Sequence, residues 1–465
     1  MSSRARQPIW INYVYNFSLM NIHLIAIGGA IMHNLALELA DNGHNVTGSD
    51  DQIFEPALSR LKAKNLLPSE NGWYPERVHS GLDLVILGMH ARADNPELQK
   101  ALALGITVRS FPEFMYDMTK DKIRVVIAGS HGKTTTTSML MHILRSAGLD
   151  FDYLVGAQLE GFNNMVRISN APIAVFEGDE YTASPLDLRP KFLHYRPHIS
   201  IITGIAWDHI NVFETHEKYI RQFELLIEDT LERGKVIYFS KDTQLADLMQ
   251  QRGESGLPYV EMPYVCETGQ CSVIFHHKRY PVHFFGAHNF QNLQAAYYAA
   301  SLLGVTDDQF LSAINNMPGP ARRLEIIHQS DFKTVYYDFA HAPSKVEATV
   351  KAVREFHPGQ KITGIFEMHT FSSLNPQFIQ QYALTLDDLD EAIIFYDPDT
   401  VRKKHLQDIP TDQILKAFKN ENIKIIQATE GLRERLKLLI NQKGVLLLMT
   451  SGNFGGINIR GIDWE

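Results

Sequence analysis

The chain has 465 residues, of which 45% are hydrophobic and 21% are charged. A chain of this length exceeds what one hydrophobic core normally serves, so about three domains are expected. The net charge of −9 leaves no basic excess for neutralising the phosphates of a nucleic acid. No segment approaches the roughly 20 apolar residues that cross a bilayer. We therefore expect a globular protein that binds neither nucleic acid nor membrane.

The two cysteines of the chain are Cys266 and Cys271. So few cysteines in so long a chain indicate a reducing compartment, and we predict a cytoplasmic protein. The pair could be half of a zinc site, but no second Cys or His pair follows at zinc spacing. Residues 1–20 begin basic and turn apolar, as a signal peptide does. Because Asn12 and Asn16 interrupt the apolar part and no cleavage site follows, we predict an N-terminal extension instead.

In chain order, the first elements predicted after this extension are short apolar strands alternating with helices. The strands are predicted at His23–Ile27, Asn45–Asp50, Leu84–Gly88 and Ile106–Val108. Such alternation indicates a parallel sheet with helices on both faces. We predict one domain from residue 21 to residue 121.

A second module begins with the apolar strand Arg124–Ala128, which runs into a glycine-rich turn. Ile173–Phe176 and Ile199–Thr203 are short and fully apolar, as buried parallel strands are. Between about 255 and 285, alternating short strands indicate a small antiparallel insertion, and a helix at Asn289–Leu303 follows. We predict that this domain covers residues 122–318.

A third module begins at Pro318-Gly319-Pro320, which has the composition of a linker. Its strands are predicted at Thr334–Tyr337, Lys361–Phe366, Ala392–Tyr396, Ile423–Ile426 and Gly444–Met449. Helical patterns separate these strands, so we predict a further α/β domain over residues 319–465.

The strongest chemical signal is the glycine-rich turn at 129–135, Gly-Ser-His-Gly-Lys-Thr-Thr, between an apolar strand and the helix Thr136–Arg145. Backbone N–H groups in such a turn cradle phosphate, and the helix N-terminus adds a favourable dipole. Lys133 would reach the outer phosphates, and the Thr134 hydroxyl would ligate Mg²⁺. The general pattern has glycine where this chain has Ile127, so the turn is a shortened variant. The alternative is an ordinary turn with an exposed lysine.

Carboxylates cluster at the end of the next buried strand, at Glu177, Asp179 and Glu180. Strand ends beside a phosphate-binding strand are where a metal–nucleotide site is built. The following strand ends in Asp208-His209, which offers another ligand. An acidic cluster of this kind, taken alone, fits a solvated turn equally well.

Three further groups of polar side chains stand at the ends of predicted elements. His288, Asn289 and Asn292 open a helix, with the two asparagines one turn apart. Arg322-Arg323 follow the second linker, and Asp338 and His341 follow a strand. Each group alone would be read as a helix cap, a linker or a surface residue. The last strand ends in the glycine-rich segment 450–456, where a backbone can approach a ligand closely.

Taken together and in this order, the motifs resemble the Mur ligase family over residues 22–457. They are Gly-Ser-His-Gly-Lys-Thr-Thr, Glu-Gly-Asp-Glu, Asp-His, Gly-x-His-Asn-x-x-Asn, Arg-Arg-Leu-Glu, Asp-Phe-Ala-His and Gly-x-Phe-Gly-Gly-Ile. Within the family the chain is most similar to the branch that joins UDP-N-acetylmuramate to the recycled murein peptide L-Ala-γ-D-Glu-meso-diaminopimelate. Two alternatives are a ligase that takes L-alanine as the amine, and a nucleotide-binding pseudo-ligase with a regulatory role.

A nicotinamide-dependent oxidoreductase is a further reading of the first turn. Gly28-Gly29 follow a strand, and Asp50 comes some twenty residues later, as in a dinucleotide-binding fingerprint. The Gly-x-Gly-x-x-Gly pattern is absent, and this reading leaves the turn at 129–135 unexplained.

The resemblance implies a three-domain α/β architecture, with a Rossmann-like N-terminal domain, a central P-loop ATPase-like domain and a Rossmann-like C-terminal domain. It implies ATP and Mg²⁺ as cofactors, and UDP-N-acetylmuramate with a peptide or amino-acid amine as partners. A substrate carboxylate would take the γ-phosphate of ATP, giving an acyl phosphate that the amine then attacks. A monomer or weak homodimer is expected.

The resemblance also implies roles for individual residues. The catalytic residues would be Lys133, His209, Arg323 and Asp338, and the metal ligands Thr134, Glu180 and His209. The nucleotide would be bound by Gly129, Ser130, His131, Gly132, Lys133, Thr134, Thr135, His288, Asn289, Asn292, Arg323 and Asp338. The substrate-binding residues would be Gly28, Gly29, Asp50 and His341.

Several positions depart from the pattern of the family. Ile31, His33 and Asn34 stand where relatives often have glycine or small residues, and Gly204 and Ala206 stand where Asn and Glu are common. In the third module, Ala342 replaces the second histidine of His-His-Pro, and the segment 367–370, Glu-Met-His-Thr, lacks an arginine seen in relatives. Because that domain reads the incoming amine, the last two departures concern the choice of amine.

Overall fold

The computed structural model describes residues 19–89, 91–207, 213, 215–253, 256–267, 269–317 and 324–464. The chain divides into two compact units. Unit 1 contains the residues up to Val126 together with Asp150–Ile199, and unit 2 contains Ile127–Leu149 and Ser200–Glu465. The domain boundaries at residues 121 and 318 stay a prediction. Among the described helices, none has the length and apolar character needed to cross a membrane.

The N-terminal part of unit 1 is the predicted alternation of strands and helices. The strands β1 Asn21–Ile25, β2 Asn45–Ser49, β3 Leu84–Leu87 and β4 Val108–Ser110 form a parallel sheet of order β2-β1-β3-β4. The helices are α1 Ala30–Asp41, α2 Ala57–Ala63, α3 Pro96–Ala103 and α4 Phe111–Thr119. Apolar side chains of β1 and β3 pack with those of α3 into one core, which includes Ile25, Val85 and Leu98. Because all four strands are parallel, their carboxyl ends lie at one edge of the sheet, and the turn after β1 lies at that edge.

The middle of the chain adds twelve strands within the described residues. They are β5 Ile123–Ala128, β6 Phe151–Leu154, β7 Val166–Arg167, β8 Ile173–Glu177, β9 Thr182–Ser184, β10 Asp187–Pro190, β11 Ile199–Ile202, β12 Lys235–Phe239, β13 Gly256–Tyr259, β14 Tyr264–Glu267, β15 Gln270–Phe275 and β16 Lys278–Val282. The helices are α5 Lys133–Ser146, α6 Lys191–His194, α7 His216–Leu231, α8 Thr243–Gln250, α9 Ala287–Leu302 and α10 Asp307–Asn315. The division into units passes through β5 and β11.

Strand pairs in this part are both parallel and antiparallel. In unit 1, β6 pairs in parallel with β8 and antiparallel with β7, and β9 and β10 form a separate antiparallel ribbon. In unit 2, β12 and β13 are parallel. The apolar strands predicted at 173–176 and 199–203 are thus β8 and β11. The short strands β7, β9 and β10 were not predicted because too few residues carry their pattern.

The antiparallel insertion lies within the predicted region, as the three-stranded sheet β14-β15-β16. Cys266 of β14 stands directly opposite Cys271 of β15, and a disulfide joins them with 4.0 Å between their Cα atoms. Bonded cysteines offer no thiolate to a metal, so the reading of this pair as half a zinc site is wrong.

The C-terminal part of unit 2 is a six-stranded sheet of order β17-β18-β22-β19-β20-β21. Its strands are β17 Glu325–Gln329, β18 Lys333–Asp338, β19 Ile362–Met368, β20 Glu391–Tyr396, β21 Lys424–Ile426 and β22 Gly444–Met449, and its helices are α11 Pro343–Phe356, α12 Pro398–Lys403, α13 Thr411–Phe418 and α14 Thr429–Ile440. All pairs are parallel except β17 with β18. The carboxyl ends of β18, β19, β20 and β22 therefore meet at one edge.

A buried ion pair lies at the start of β5 in unit 1. Lys122 Nζ contacts Asp152 and also donates to the Ser169 carbonyl at 2.5 Å, and Ser169 Oγ donates to Asp152 Oδ1 at 2.6 Å. The two charged side chains are 8% and 0% exposed. Burial raises the pKa of Asp152, and the Lys122 charge opposes that shift. The carboxylate thus depends on Lys122 to remain ionised inside the protein.

We expect Lys122→Met to lower the free energy of unfolding by about 3–5 kcal/mol, because it leaves a buried carboxylate without its partner. Urea unfolding followed by circular dichroism measures the change. The matched control is Lys120→Met, which alters an exposed lysine nearby. The double variant Lys122→Met/Asp152→Leu should regain most of the loss. A single variant as stable as the control would contradict the assignment.

Candidate active site

The turn between β5 and α5 depends on two glycines. Gly129 has φ +122° and Gly132 has φ +78°, a backbone region that side chains disfavour. A Cβ on Gly129 would lie 2.4 Å from Thr203 Oγ1, and one on Gly132 would lie 2.4 Å from Asn292 Oδ1. The turn is therefore pressed against the ends of β11 and α9. Only glycine fits at either position.

The segment after β11 holds the turn in place through backbone carbonyls. The Ser130 N–H donates to the Gly204 carbonyl at 2.9 Å, and its hydroxyl donates to the Ala206 carbonyl at 2.5 Å. The Tyr219 hydroxyl lies 2.9 Å from Ser130 Oγ. Asp242 accepts from the Ile205 N–H at 2.7 Å and so fixes the same segment. The unusual Gly204 and Ala206 thus act through their main chain, and the φ of +141° at Gly204 favours glycine there.

Lys133, Ser344 and Thr136 connect the turn to its surroundings. Lys133 begins α5, and its Nζ donates to the Gly129 carbonyl at 2.8 Å, so the side chain folds back across the turn. His131 Nε2 lies 2.5 Å from the hydroxyl of Ser344, at the start of α11. Thr136 Oγ1 donates to Asn292 Oδ1 at 3.2 Å. The predicted residues 129–135 therefore form one compact turn at a helix N-terminus, the geometry that binds phosphate.

The two asparagines of α9 take different positions. Asn292 contacts the turn, as described, and Asn289 lines a cavity of about 230 Å³ in unit 2. Asn289 is 2% exposed, its Nδ2 donates to the Phe285 carbonyl at 2.8 Å, and its Oδ1 has no hydrogen-bond partner among the described residues. Phe285, Tyr336 and Phe356 also line the cavity. A flat, apolar ring carrying an amino group fits such a lining. The predicted His288 lies half-buried beside them.

Asp338 is buried, and both of its carboxylate oxygens accept backbone N–H groups. Oδ2 accepts from Leu324 at 2.6 Å, and Oδ1 accepts from Ala340 at 2.7 Å. Leu324 directly follows Arg323, which lies outside the described residues. Asp338 therefore fixes the chain at Leu324, the first described residue of this segment. His341, three residues beyond Asp338, has its Nδ1 2.9 Å from the Phe339 carbonyl.

The first turn of unit 1 brings Gly28 and Asp50 together. The Gly28 N–H donates to Asp50 Oδ2 at 2.7 Å, and Gly29 caps α1. Burial raises the pKa of Asp50 from 3.8 to about 6, and Asp51 adds to this while the Gly28 N–H opposes it. The two predicted substrate-binding positions thus lie in contact at the carboxyl ends of β1 and β2.

The acidic cluster after β8 is only partly available for a metal. Glu177 accepts from the Gly156 N–H at 2.8 Å, and Asp179 pairs with Lys191 at 3.2 Å. Glu180 is 1% exposed. The other predicted metal ligand on this side, His209, lies outside the described residues.

Comparison with known proteins agrees with this geometry. The model of the Mur ligase family, catalytic domain, matches residues 21–123, that of the Mur ligase middle domain 127–300, and that of the Mur ligase, glutamate ligase domain, 322–452. The chain is 31% identical to UDP-N-acetylmuramate–L-alanine ligase of Caldicellulosiruptor saccharolyticus, covering 86% of this chain and 88% of that one. The chain belongs to the Mur ligase family.

Two other relatives match nearly the full length. The UDP-N-acetylmuramate–L-alanyl-γ-D-glutamyl-meso-2,6-diaminoheptandioate ligase of Haemophilus influenzae is 26% identical, covering 95% of this chain and 98% of that one. A solved murein peptide ligase from Psychrobacter arcticus is 24% identical with a TM-score of 0.62, covering 95% and 98%. The resemblance and the three-domain α/β architecture are confirmed. The protein is an ATP-dependent amide-bond-forming ligase of the family that serves peptidoglycan synthesis.

The departures from the family in the first turn belong to a polar network within unit 1. Arg60 donates to Asn34 Oδ1 at 2.7 Å and to the Asn163 carbonyl at 3.2 Å. Asn164 Nδ2 donates to the Asn34 carbonyl at 2.9 Å. Burial lowers the pKa of His33, whose Nδ1 lies 2.8 Å from the Gly29 carbonyl. The larger side chains thus join α1 to α2 and to the segment before β7, a link of more than 100 residues that no local pattern reveals.

Glu367, at the end of β19, is an organising residue that the sequence reading did not assign. It is 5% exposed, and its Oε2 accepts from the Phe454 N–H at 3.0 Å and from the Thr450 hydroxyl. It therefore holds the glycine-rich segment 450–456 against the sheet. The only signal in the sequence was its place at the end of an apolar strand.

We expect Asp50→Asn to stabilise the protein at pH 8 by about 2 kcal/mol and to change little at pH 4. In the wild type, folded Asp50 keeps its proton to about pH 6, whereas the unfolded carboxyl loses it near pH 3.8. The wild type therefore loses stability as pH rises through this window, and asparagine does not. Thermal unfolding from pH 4 to pH 8 measures the effect, with Asp247→Asn, which alters an exposed aspartate of α8, as control. A difference independent of pH would contradict the assignment.

Lys133→Ala should lower the rate of ADP release by at least about 100-fold, because it removes a cation from the phosphate site. The fold should persist, since Lys133 is only half-buried. The matched control is Lys235→Ala, which alters an exposed lysine at the start of β12. Equal rates in the two variants would remove Lys133 from the site.

Proposed function

We propose that the protein joins UDP-N-acetylmuramate to the peptide L-Ala-γ-D-Glu-meso-diaminopimelate through an acyl phosphate. The observation that carries the proposal is the turn at 129–135, built at a helix N-terminus with Lys133 folded across it. A pseudo-ligase would bind nucleotide at such a turn as well, but it would not need the intact set Lys133, Thr134, Glu180 and His209. The choice of peptide is supported by the Haemophilus influenzae relative, whose name gives this substrate and which matches over almost its full length.

ATP would lie along the turn and into the cavity beside Asn289. The backbone of residues 129–132 would cradle the phosphates, and Lys133 would release the Gly129 carbonyl to contact the phosphoryl group in transfer. Asn289 Oδ1, which is buried without a partner among the described residues, would accept from the adenine amino group. Asn292 would support the turn through Thr136.

Mg²⁺ would be held by Thr134, Glu180 and His209. A hydroxyl and a buried carboxylate are hard oxygen ligands of the kind Mg²⁺ prefers, and Glu180 is 1% exposed. When bound, the ion neutralises charge on the phosphates. The chain's own part in the first step is to hold the substrate carboxylate in line with the γ-phosphate, which gains rate by positioning.

The remaining predicted residues have positioning roles in this proposal. Gly28, Gly29 and Asp50 would bind the uridine nucleotide at the first turn. Asp338 would set Arg323 by holding the Leu324 N–H, and Arg323 would then contact phosphate. His341 would lie on the amine side. We propose a monomer or weak homodimer in the cytoplasm, where ATP and UDP-linked sugars are found.

A second candidate is UDP-N-acetylmuramate–L-alanine ligase. One observation favours it, the 31% identity to the Caldicellulosiruptor saccharolyticus enzyme of that name. The phosphate site serves both reactions equally, so the amine alone separates the candidates.

We expect ADP release with ATP, Mg²⁺, UDP-N-acetylmuramate and the tripeptide, and release at least tenfold slower with L-alanine at the same concentration. A coupled assay for ADP measures both rates, and mass spectrometry identifies the amide product. Lys133→Ala serves as the blank for contaminating ATPase. Faster release with L-alanine would assign the protein to the second candidate. No release above the blank with either amine would overturn the ligase assignment.

A further inference from the structure

A lysine stands at the same sheet edge as the segment that lacks the family's arginine. The segment 367–370 ends β19, and Lys404 directly follows α12, the helix that comes after β20. Lys404 Nζ lies 4.4 Å from the centroid of the Phe371 ring. Because β19 and β20 are parallel neighbours, both positions lie at the carboxyl edge of the C-terminal sheet. Lys404, which follows β20 and α12, therefore lies beside the segment that follows β19.

Phe371 presents this cation to solvent. Phe371 is 55% exposed, so its ring is open to solvent. A cation over an aromatic face is attracted by the ring, and the contact restricts the long lysine chain. The structure therefore holds the Lys404 ammonium group in a defined, accessible place.

His369 lies close enough to Lys404 to be affected by its charge. It is mostly buried, its Nδ1 has no hydrogen-bond partner among the described residues, and its Nε2 lies 3.5 Å from Ser451 Oγ. Burial lowers the pKa of His369; the charge of Lys404 acts in the same direction, and Glu367 opposes it. A neutral imidazole offers a hydrogen bond but no charge, so His369 does not replace an arginine.

Lys404 remains available for a ligand. Its neighbour Arg402 pairs with Asp399 within α12, and Glu367 is used by the Thr450 hydroxyl and the Phe454 N–H. No carboxylate of the described residues lies within ion-pair distance of Lys404. Lys404 is thus a cation that Phe371 holds at the edge of the domain expected to bind the amine. It has no carboxylate partner among the described residues, so a ligand carboxylate would complete the ion pair.

We propose that Lys404, positioned by Phe371 beside His369, binds a carboxylate of the incoming amine substrate. This rests on the proposed function. The tripeptide carries free carboxylates on its γ-linked glutamate and on its diaminopimelate, so it presents the required anion. A lysine binds a carboxylate as a point charge rather than through a two-point fork, so the subsite would tolerate some freedom in carboxylate orientation.

The test compares Lys404→Ala with Lys404→Arg and with Lys403→Ala, an exposed neighbour used as the matched control. Lys404→Ala should raise KM for the tripeptide at least tenfold while KM for ATP, KM for UDP-N-acetylmuramate and kcat change less than twofold. Lys404→Arg should restore most of the affinity, and Lys403→Ala should behave as the wild type. Amidating the carboxylates of the peptide should raise KM for the wild type but add little in Lys404→Ala.

The outcomes separate this inference from the proposed function. Turnover of the tripeptide by the wild type with an unchanged KM in Lys404→Ala would overturn the inference alone. If the wild type uses L-alanine and not the tripeptide, the proposed amine is wrong, and the inference is then judged on KM for L-alanine, where an unchanged value overturns it. No turnover of either amine would overturn both.

Discussion

Close approach of the main chain at Gly129 and Gly132 is the constraint on which the rest of the site depends. Each glycine lies where a single methyl group would collide with Thr203 or Asn292. This contact sets the path of the turn, and the path sets which N–H groups point outward at the start of α5. The segment after β11 supports the turn through the carbonyl groups of Gly204 and Ala206. Gly204 has φ +141°, a backbone region that favours glycine, whereas Ala206 is exposed and its side chain is not needed for this support.

Buried carboxylates in the C-terminal domain act mainly on backbone. Asp338 holds the N–H groups of Leu324 and Ala340, and Glu367 holds Phe454. Charge-assisted hydrogen bonds of this type are about twice as strong as neutral ones, so they fix loops well. Loss of either acid would therefore displace a loop as well as remove a charge. The same logic applies to Asp242 beside the phosphate turn, which holds Ile205.

Much of the fold follows from local pattern. The parallel strands that end at Ala128, at Glu177 and at Met449 are continuous apolar runs, and such runs are readable without any partner. The phosphate turn was found because strand, glycines, lysine and helix are consecutive. The edge strand β17 was missed because Glu325–Gln329 is half exposed and reads as a linker. The Cys266–Cys271 bridge joins residues only five apart, but its prediction needs the register of two strands that the sequence only hints at.

The parts of the candidate site that were predictable are those whose residues are consecutive in the sequence. Gly28 and Asp50 were assigned to one substrate site through the resemblance to the family, and in the structure the Gly28 N–H lies 2.7 Å from Asp50 Oδ2. The contacts of the side chains that replace family residues were not predictable, since Asn34 finds partners more than 100 residues away and His33 lies against Arg60 of another helix.

A sequence shows when a functional residue of a family is missing from its motif. Whether another residue supplies the same charge at the same place is visible only in the three-dimensional structure. The segment 367–370 lacks an arginine, and Lys404, which follows the next strand and its helix, lies 4.4 Å from the ring centroid of the adjoining Phe371. Electrostatic attraction between a ligand carboxylate and a cation depends on distance and desolvation, not on which strand carries the charge. A sheet whose parallel strands end at one edge lets several chain segments supply the same charge. Under the proposed function the choice of amine would therefore be a property of the edge as a whole, and a missing motif residue does not by itself mean a missing interaction.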